Sequence, residues 1–242
     1  MRDYEMEVKN RARFIQDALS AAQASGVVYG NSGGKDSALV GILCKLACDN
    51  TVGLVMPCNS LRGYEEDKNE AEALARKFNI TTRMVDLSAA RDSMVDSLCD
   101  VTELTKSALS NMAPRLRMMT LYAVAASESR LVAGTGNRSE GYMGYFTKWG
   151  DGGYDFNPIA DLTVTEIYEF LRFLNAPETI IDKAPSAGLF DGQTDESEMG
   201  VTYQSIDTFL FTGSANEHDK AIIERYHNVS EHKRKMPLVY GG

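Results

Sequence analysis

Residues 26–37 read Gly26-Val27-Val28-Tyr29-Gly30-Asn31-Ser32-Gly33-Gly34-Lys35-Asp36-Ser37: an apolar run, a glycine turn and the start of a helical pattern. A strand that passes into a helix through glycines makes an anion site. Its backbone N–H groups converge, and the helix dipole favours phosphate. Ser32 and Ser37 add hydroxyl donors. Asp36 is the odd member, because a carboxylate inside a phosphate cradle repels its ligand unless a cation lies between them. Asp36 is therefore a candidate Mg²⁺ ligand.

Two familiar phosphate loops fail on this stretch. The Walker pattern needs Gly, four residues, then Gly-Lys-Ser/Thr; here Tyr29 stands at the first glycine and Asp36 at the hydroxyl. The dinucleotide pattern Gly-x-Gly-x-x-Gly fails at Ser32. What remains, Ser-Gly-Gly-Lys-Asp-Ser at 32–37, resembles the Ser-Gly-Gly-x-Asp-Ser loop of the N-type ATP pyrophosphatases. Those enzymes cut ATP between its α and β phosphates and leave AMP on a substrate oxygen.

Around the loop, strand-like runs at 26–29, 52–56, 81–85 and 131–133 alternate with helical patterns. Ala71, Leu74, Ala75 and Phe78 keep one helical face, and Leu116, Met119, Ala123 and Ala126 keep another from about 114 to 127, with Pro114 suited to a first helical turn. An amphipathic helix, about 3–24, precedes the first strand. Strands separated by helices predict right-handed crossovers and a mostly parallel sheet, with ligands beyond the carboxyl ends of the strands. Residues 184–200 read as an irregular mobile loop, followed by helices at about 202–211 and 216–227.

The 242 residues predict one domain over 1–242, and the fold accounts for the whole length. A net charge of −9 argues against a nucleic-acid surface as the main partner. No apolar run approaches a membrane span and the N-terminus has no signal core, so a cytosolic, membrane-free protein is expected. Cys44, Cys48, Cys58 and Cys99 contain no Cys-x-x-Cys pair and read as buried thiols in a reducing compartment.

A second constellation follows the fourth strand: Gly134-Thr135-Gly136-Asn137-Arg138-Ser139-Glu140. Thr135 is placed to bond a nucleotide at the sheet edge, and Glu140 offers a carboxylate that shares a metal with Asp36. Next come Phe146-Thr147-Lys148-Trp149-Gly150-Asp151-Gly152-Gly153 and Asp155-Phe156-Asn157-Pro158. Together these blocks, with Gln193-Thr194-Asp195-Glu196 and Glu231-His232-Lys233-Arg234, resemble the NAD synthetase family from about residue 25 to 237.

The resemblance implies a three-layer α/β fold, a Rossmann-like parallel sheet flanked by helices of the adenine nucleotide α-hydrolase type. It implies ATP-dependent amidation of deamido-NAD by ammonia, through an adenylated carboxylate, in a homodimer. By position, Gly30, Asn31, Ser32, Gly33, Gly34, Lys35, Asp36 and Ser37 would cradle ATP, with Thr135 and Ser186 also on ATP. Asp36 and Glu140 would hold Mg²⁺; Arg115, Lys148, Asp155, His232 and Lys233 would hold deamido-NAD; and the loop at 184–200 would close over the site. Free ammonia is the expected donor, since the length leaves no room for a glutaminase. One departure stands out: where the family often has lysine in a Thr-Lys-Thr-type helix start, this chain reads Thr163-Val164-Thr165, and Lys35 is the nearest candidate to replace that charge. A tRNA-modifying ATP pyrophosphatase and a nucleotide-binding regulator without catalysis are the competing readings.

Overall fold

The computed structural model describes residues 2–58, 64–181 and 195–241, without the side chains of 64–68. Ser186 lies outside the described residues, as does most of the 184–200 loop. Along the described chain, α1 (Tyr4–Ala21) leads to β1 (Gly26–Gly30), α2 (Lys35–Ala47), β2 (Thr51–Val55), α3 (Tyr64–Phe78), β3 (Thr81–Met84), α4 (Ser88–Cys99), α5 (Lys106–Glu128) and β4 (Arg130–Ala133). Then come α6 (Arg138–Met143), α7 (Val164–Phe173), α8 (Glu178–Ile181), α9 (Asp195–Met199), α10 (Tyr203–Thr212), α11 (Glu217–Val229) and α12 (Glu231–Arg234).

The strands form one parallel sheet in the order β3-β2-β1-β4, with Val28 of β1 beside Val52 of β2 and Val132 of β4. Alternation along β1 feeds two cores. Val27 and Tyr29 join Ile15 of α1, Leu39 and Leu43 of α2, and Ile167 and Phe170 of α7. Val28 turns to the other face, with Leu54, Leu116 and Leu121. Burial on both faces is why the strand reads as an unbroken apolar run. Gly41 lets the Tyr29 ring lie against α2, since a Cβ there would collide with the phenol oxygen.

The topology fixes where a ligand binds. The chain builds β1, β2 and β3 outward, then crosses back to place β4 on the far side of β1. The loops after β1 and β4 therefore diverge from neighbouring carboxyl ends and leave a crevice between them. A third cluster, including Met143, Val164, Tyr203, Ile206 and Ile223, packs α6, α10 and α11 around the start of α7 and closes one flank of that crevice.

Several boundaries differ from expectation. Pro114 is interior to α5, not in its first turn. The helix starts earlier because the Thr105 side chain accepts a hydrogen bond from the Ala108 amide, a cap that overrides the proline signal. Residues 195–199 are helical where an irregular loop was expected. Cys44 and Cys58 are buried, but Cys48 is half-buried and Cys99 exposed. Among the described residues no helix is long and apolar enough to cross a membrane.

Candidate active site

The first loop is held by its own hydroxyls. Asn31 donates its amide to Leu54 O, which keeps the turn on the sheet. Ser32 Oγ and Ser37 Oγ lie 3.1 Å apart, Ser37 Oγ donates to Gly34 O, and Gly33 takes φ of 75°. The start of α2 is left open, because Gly34 occupies the cap and no side chain accepts from the first helical amides. By contrast, α6 and α7 both begin with full capping boxes, Asn137 with Glu140 and Thr163 with Glu166. The start of α2 follows the β1 loop at the crevice, so its uncapped first amides suit an anion.

The two loops meet. Asn137 Nδ2 donates to Asp36 Oδ1 at 3.0 Å, while Asn137 Oδ1 accepts from the Glu140 amide at 3.0 Å. One asparagine thus ties both predicted metal ligands together. Glu140 is half-buried. Burial raises its carboxyl well above the ordinary value, the nearby Asp36 charge adds to that, and Lys35 opposes it. Such a pair calls for a cation. Lys35 is 7% exposed and points toward these acids, with Nζ 2.8 Å from Asp36 Oδ2. Thr135 is half-buried in the turn after β4. Val164, buried in the first turn of α7, packs in the third cluster and brings no charge.

The second group gathers beside the first. Arg115 of α5 donates Nε to Lys148 O at 3.3 Å. Lys148 is half-buried; its ammonium donates to His232 O at 2.7 Å and sits 5.4 Å from the Trp149 ring centre. Lys233 donates to Gly144 O and Phe146 O, both at 2.8 Å, and burial pushes its ammonium below the usual lysine range. The charged tail is thus anchored to the 144–148 block. His232 contributes its carbonyl, while its side chain is exposed. Asp155 accepts from the Val132 amide at 2.7 Å and the Tyr122 hydroxyl at 3.2 Å.

Arg115, Met119, Tyr122, Trp149 and Tyr154 line a cavity of about 380 Å³ here. Trp149 is 59% exposed and holds φ of 63°, a strained backbone for a bulky residue and typical of a ligand site. Tyr122 and Asn137 were not singled out from the sequence. Asn137 had a readable signal, an asparagine three residues before a glutamate at a strand end. Tyr122 had none, since its partner Asp155 is 33 residues away.

Comparison with known proteins agrees with this geometry. A family model described as NAD synthase matches residues 7–237. An NH3-dependent NAD+ synthetase of Carboxydothermus hydrogenoformans is 45% identical over 240 residues, 98% of each chain. An NMN synthetase from Francisella tularensis superposes with a TM-score of 0.94 at 37% identity over the whole of both chains. An NH3-dependent NAD synthetase from Campylobacter jejuni gives 0.80 at 30% identity over 99% of both. The parallel sheet flanked by helices is the Rossmann-like, adenine nucleotide α-hydrolase arrangement expected from the sequence. Matched along nearly its full length in both sequence and fold, the chain belongs to the NAD synthase family.

Proposed function

We propose that the chain amidates deamido-NAD to NAD with ammonia, using ATP to adenylate the nicotinate carboxylate and releasing pyrophosphate and then AMP. The observation that carries this reading is the Asn137 bridge, which joins an open helix start to a pair of carboxylates at the switch point. A carboxylate is a poor electrophile, and joining it to AMP supplies a leaving group. The 30–37 cradle and the open start of α2 bind and orient the ATP phosphates, with Thr135 and Ser186 at the same nucleotide. Asp36 and Glu140 fit Mg²⁺: among the described residues no third His, Cys, Asp or Glu completes a protein cage, and magnesium ordinarily shares one or two carboxylates with phosphate oxygens. When bound, the ion offsets charge building on the departing pyrophosphate. Arg115, Lys148 and Asp155, with His232 and Lys233, hold the second nucleotide beside the first.

A single domain over 1–242 is the corresponding organisation. A homodimer is supported by Met119, Tyr122, Trp149 and Tyr154, all large, exposed and grouped on one face. The soluble, charged substrates support a cytoplasmic site, without nucleic acid or membrane as partner. An assay with Mg-ATP and deamido-NAD, comparing ammonium with glutamine, tests the reading. NAD and AMP formed with ammonium, and little with glutamine, is the expected result.

A second substrate is favoured by one observation. The superposition on the Francisella tularensis NMN synthetase exceeds that on the Campylobacter jejuni NAD synthetase, 0.94 against 0.80. Nicotinate mononucleotide carries the same reacting carboxylate without the adenylate half. Measuring kcat/KM on both nucleotides separates the readings: a preference for the mononucleotide makes the chain an NMN-forming enzyme.

A further inference from the structure

Lys35 occupies the variable position of the Ser-Gly-Gly-x-Asp-Ser loop, inside the 30–37 phosphate cradle. Its stem is buried at the start of α2. Nζ lies 2.8 Å from Asp36 Oδ2 and 5.6 Å from the Tyr203 ring centre. The Tyr203 hydroxyl is itself spent on Asp195, to which it donates at 3.0 Å.

Both oxygens of Asp36 are therefore engaged, Oδ1 by the Asn137 amide and Oδ2 by Lys35. Each oxygen keeps a second lone pair for a metal, but a divalent ion that takes Asp36 as a ligand meets the Lys35 ammonium beside Oδ2, and the two cations repel at that range. Asn137 is pinned, because its other amide atom caps α6 by accepting from Glu140 N. Lys35 hangs on four rotatable bonds and is the partner able to move. We propose that the Lys35 ammonium is a built-in counter-ion that holds the divalent cation's place beside Asp36 and Glu140 until metal and ATP enter together. In the nucleotide-free protein the two acids are already served by a cation, so free metal gains little by binding. Metal arriving with ATP brings phosphate oxygens that receive the displaced ammonium at the mouth of the same loop. Metal and nucleotide binding become coupled through one side chain.

This inference rests on Asp36 and Glu140 as the metal pair, and its test reads binding instead of turnover. Mn²⁺ is titrated into nucleotide-free protein and followed by electron paramagnetic resonance. The wild type binds Mn²⁺ weakly, and α,β-methylene-ATP tightens it. Lys35→Met and Lys35→Gln bind Mn²⁺ on the order of tenfold more tightly without nucleotide, the scale of one close charge partly screened. Lys35→Arg keeps the weak wild-type value. Equal Mn²⁺ affinity in wild type and Lys35→Met overturns the proposal. The wild type offers an independent check should a variant fold poorly. A tight nucleotide-free Mn²⁺ site that disappears in Asp36→Asn also overturns the proposal, whether or not the enzyme amidates deamido-NAD.

Discussion

Asn137 donates its side-chain amide to the Asp36 carboxylate at 3.0 Å, linking loops that leave adjacent strands 101 residues apart in the chain. The same side chain caps α6. The two roles separate by substitution. Asn137→Ser keeps a good cap but is too short to reach Asp36. It should melt close to wild type while needing several-fold more Mg²⁺ for half-maximal activity. Asn137→Ala loses both roles and should also lose about 1–2 kcal/mol in a urea titration.

Glu140 makes the metal-free protein sensitive to pH. Burial, aided by Asp36, raises its carboxyl from 4.5 to about 8. The folded state thus holds the proton more tightly than the unfolded chain. The associated stability is fully present below about 4.5 and is lost as pH rises through about 8. Glu140→Gln should flatten that decline, so the metal-free variant melts above wild type at pH 8 and near it at pH 5. Turnover should fall by about 100-fold or more, since the variant lacks the proposed magnesium ligand. Thermal melts in chelator at the two pH values check the sign.

Asp207 is a buried support for the site. It accepts from Ser139 Oγ at 2.5 Å, from Thr165 N at 2.8 Å and from Thr165 Oγ1 at 2.7 Å. It thereby fixes α6, which carries Glu140, against the start of α7. Asp207→Ala orphans three donors and should cost about 3 kcal/mol by denaturant titration. Asp207→Asn, which retains one carbonyl acceptor, should lose less.

The first helix is clamped by ion pairs. Arg11 is buried against Pro158 O and Asp161, and Arg2 pairs with Asp161 and Glu166. Burial opposes ionisation of Asp161, but Arg11 and Arg2 outweigh it and hold its carboxyl below the ordinary 3.8. The clamp is therefore intact above that value and lost as pH falls through the lowered one. Asp161→Asn should make the melting temperature less steep between pH 5 and pH 3. Removing it also leaves the buried Arg11 guanidinium short of a partner, so the variant should melt lower at pH 7.

The sheet and the first loop were legible because β1 is buried on both faces and shows it as a continuous apolar run. Glu140 was legible beside Asp36 from their matching places at strand ends. The direction of Lys35 was not, since a loop lysine is equally able to face phosphate or acid, and its choice depends on Tyr203 and Glu140, more than 100 residues away in the chain. The tail was read as a substrate-binding segment, with no sign of what anchors it. Lys233 instead finds the Gly144 and Phe146 carbonyls, partners no local pattern announces. Pro114 misled because the proline rule for helix starts competes with the Thr105 cap, and the cap won.

In the proposed reaction the nicotinate carboxylate attacks the α-phosphorus of ATP before ammonia arrives. Deamido-NAD labelled with ¹⁸O in its carboxylate, turned over with Mg-ATP and ammonium, tests it most directly by mass spectrometry of the products. One ¹⁸O is expected in AMP, one retained in the amide of NAD and none in pyrophosphate. Label in pyrophosphate or orthophosphate, or AMP formed without ¹⁸O, would contradict it.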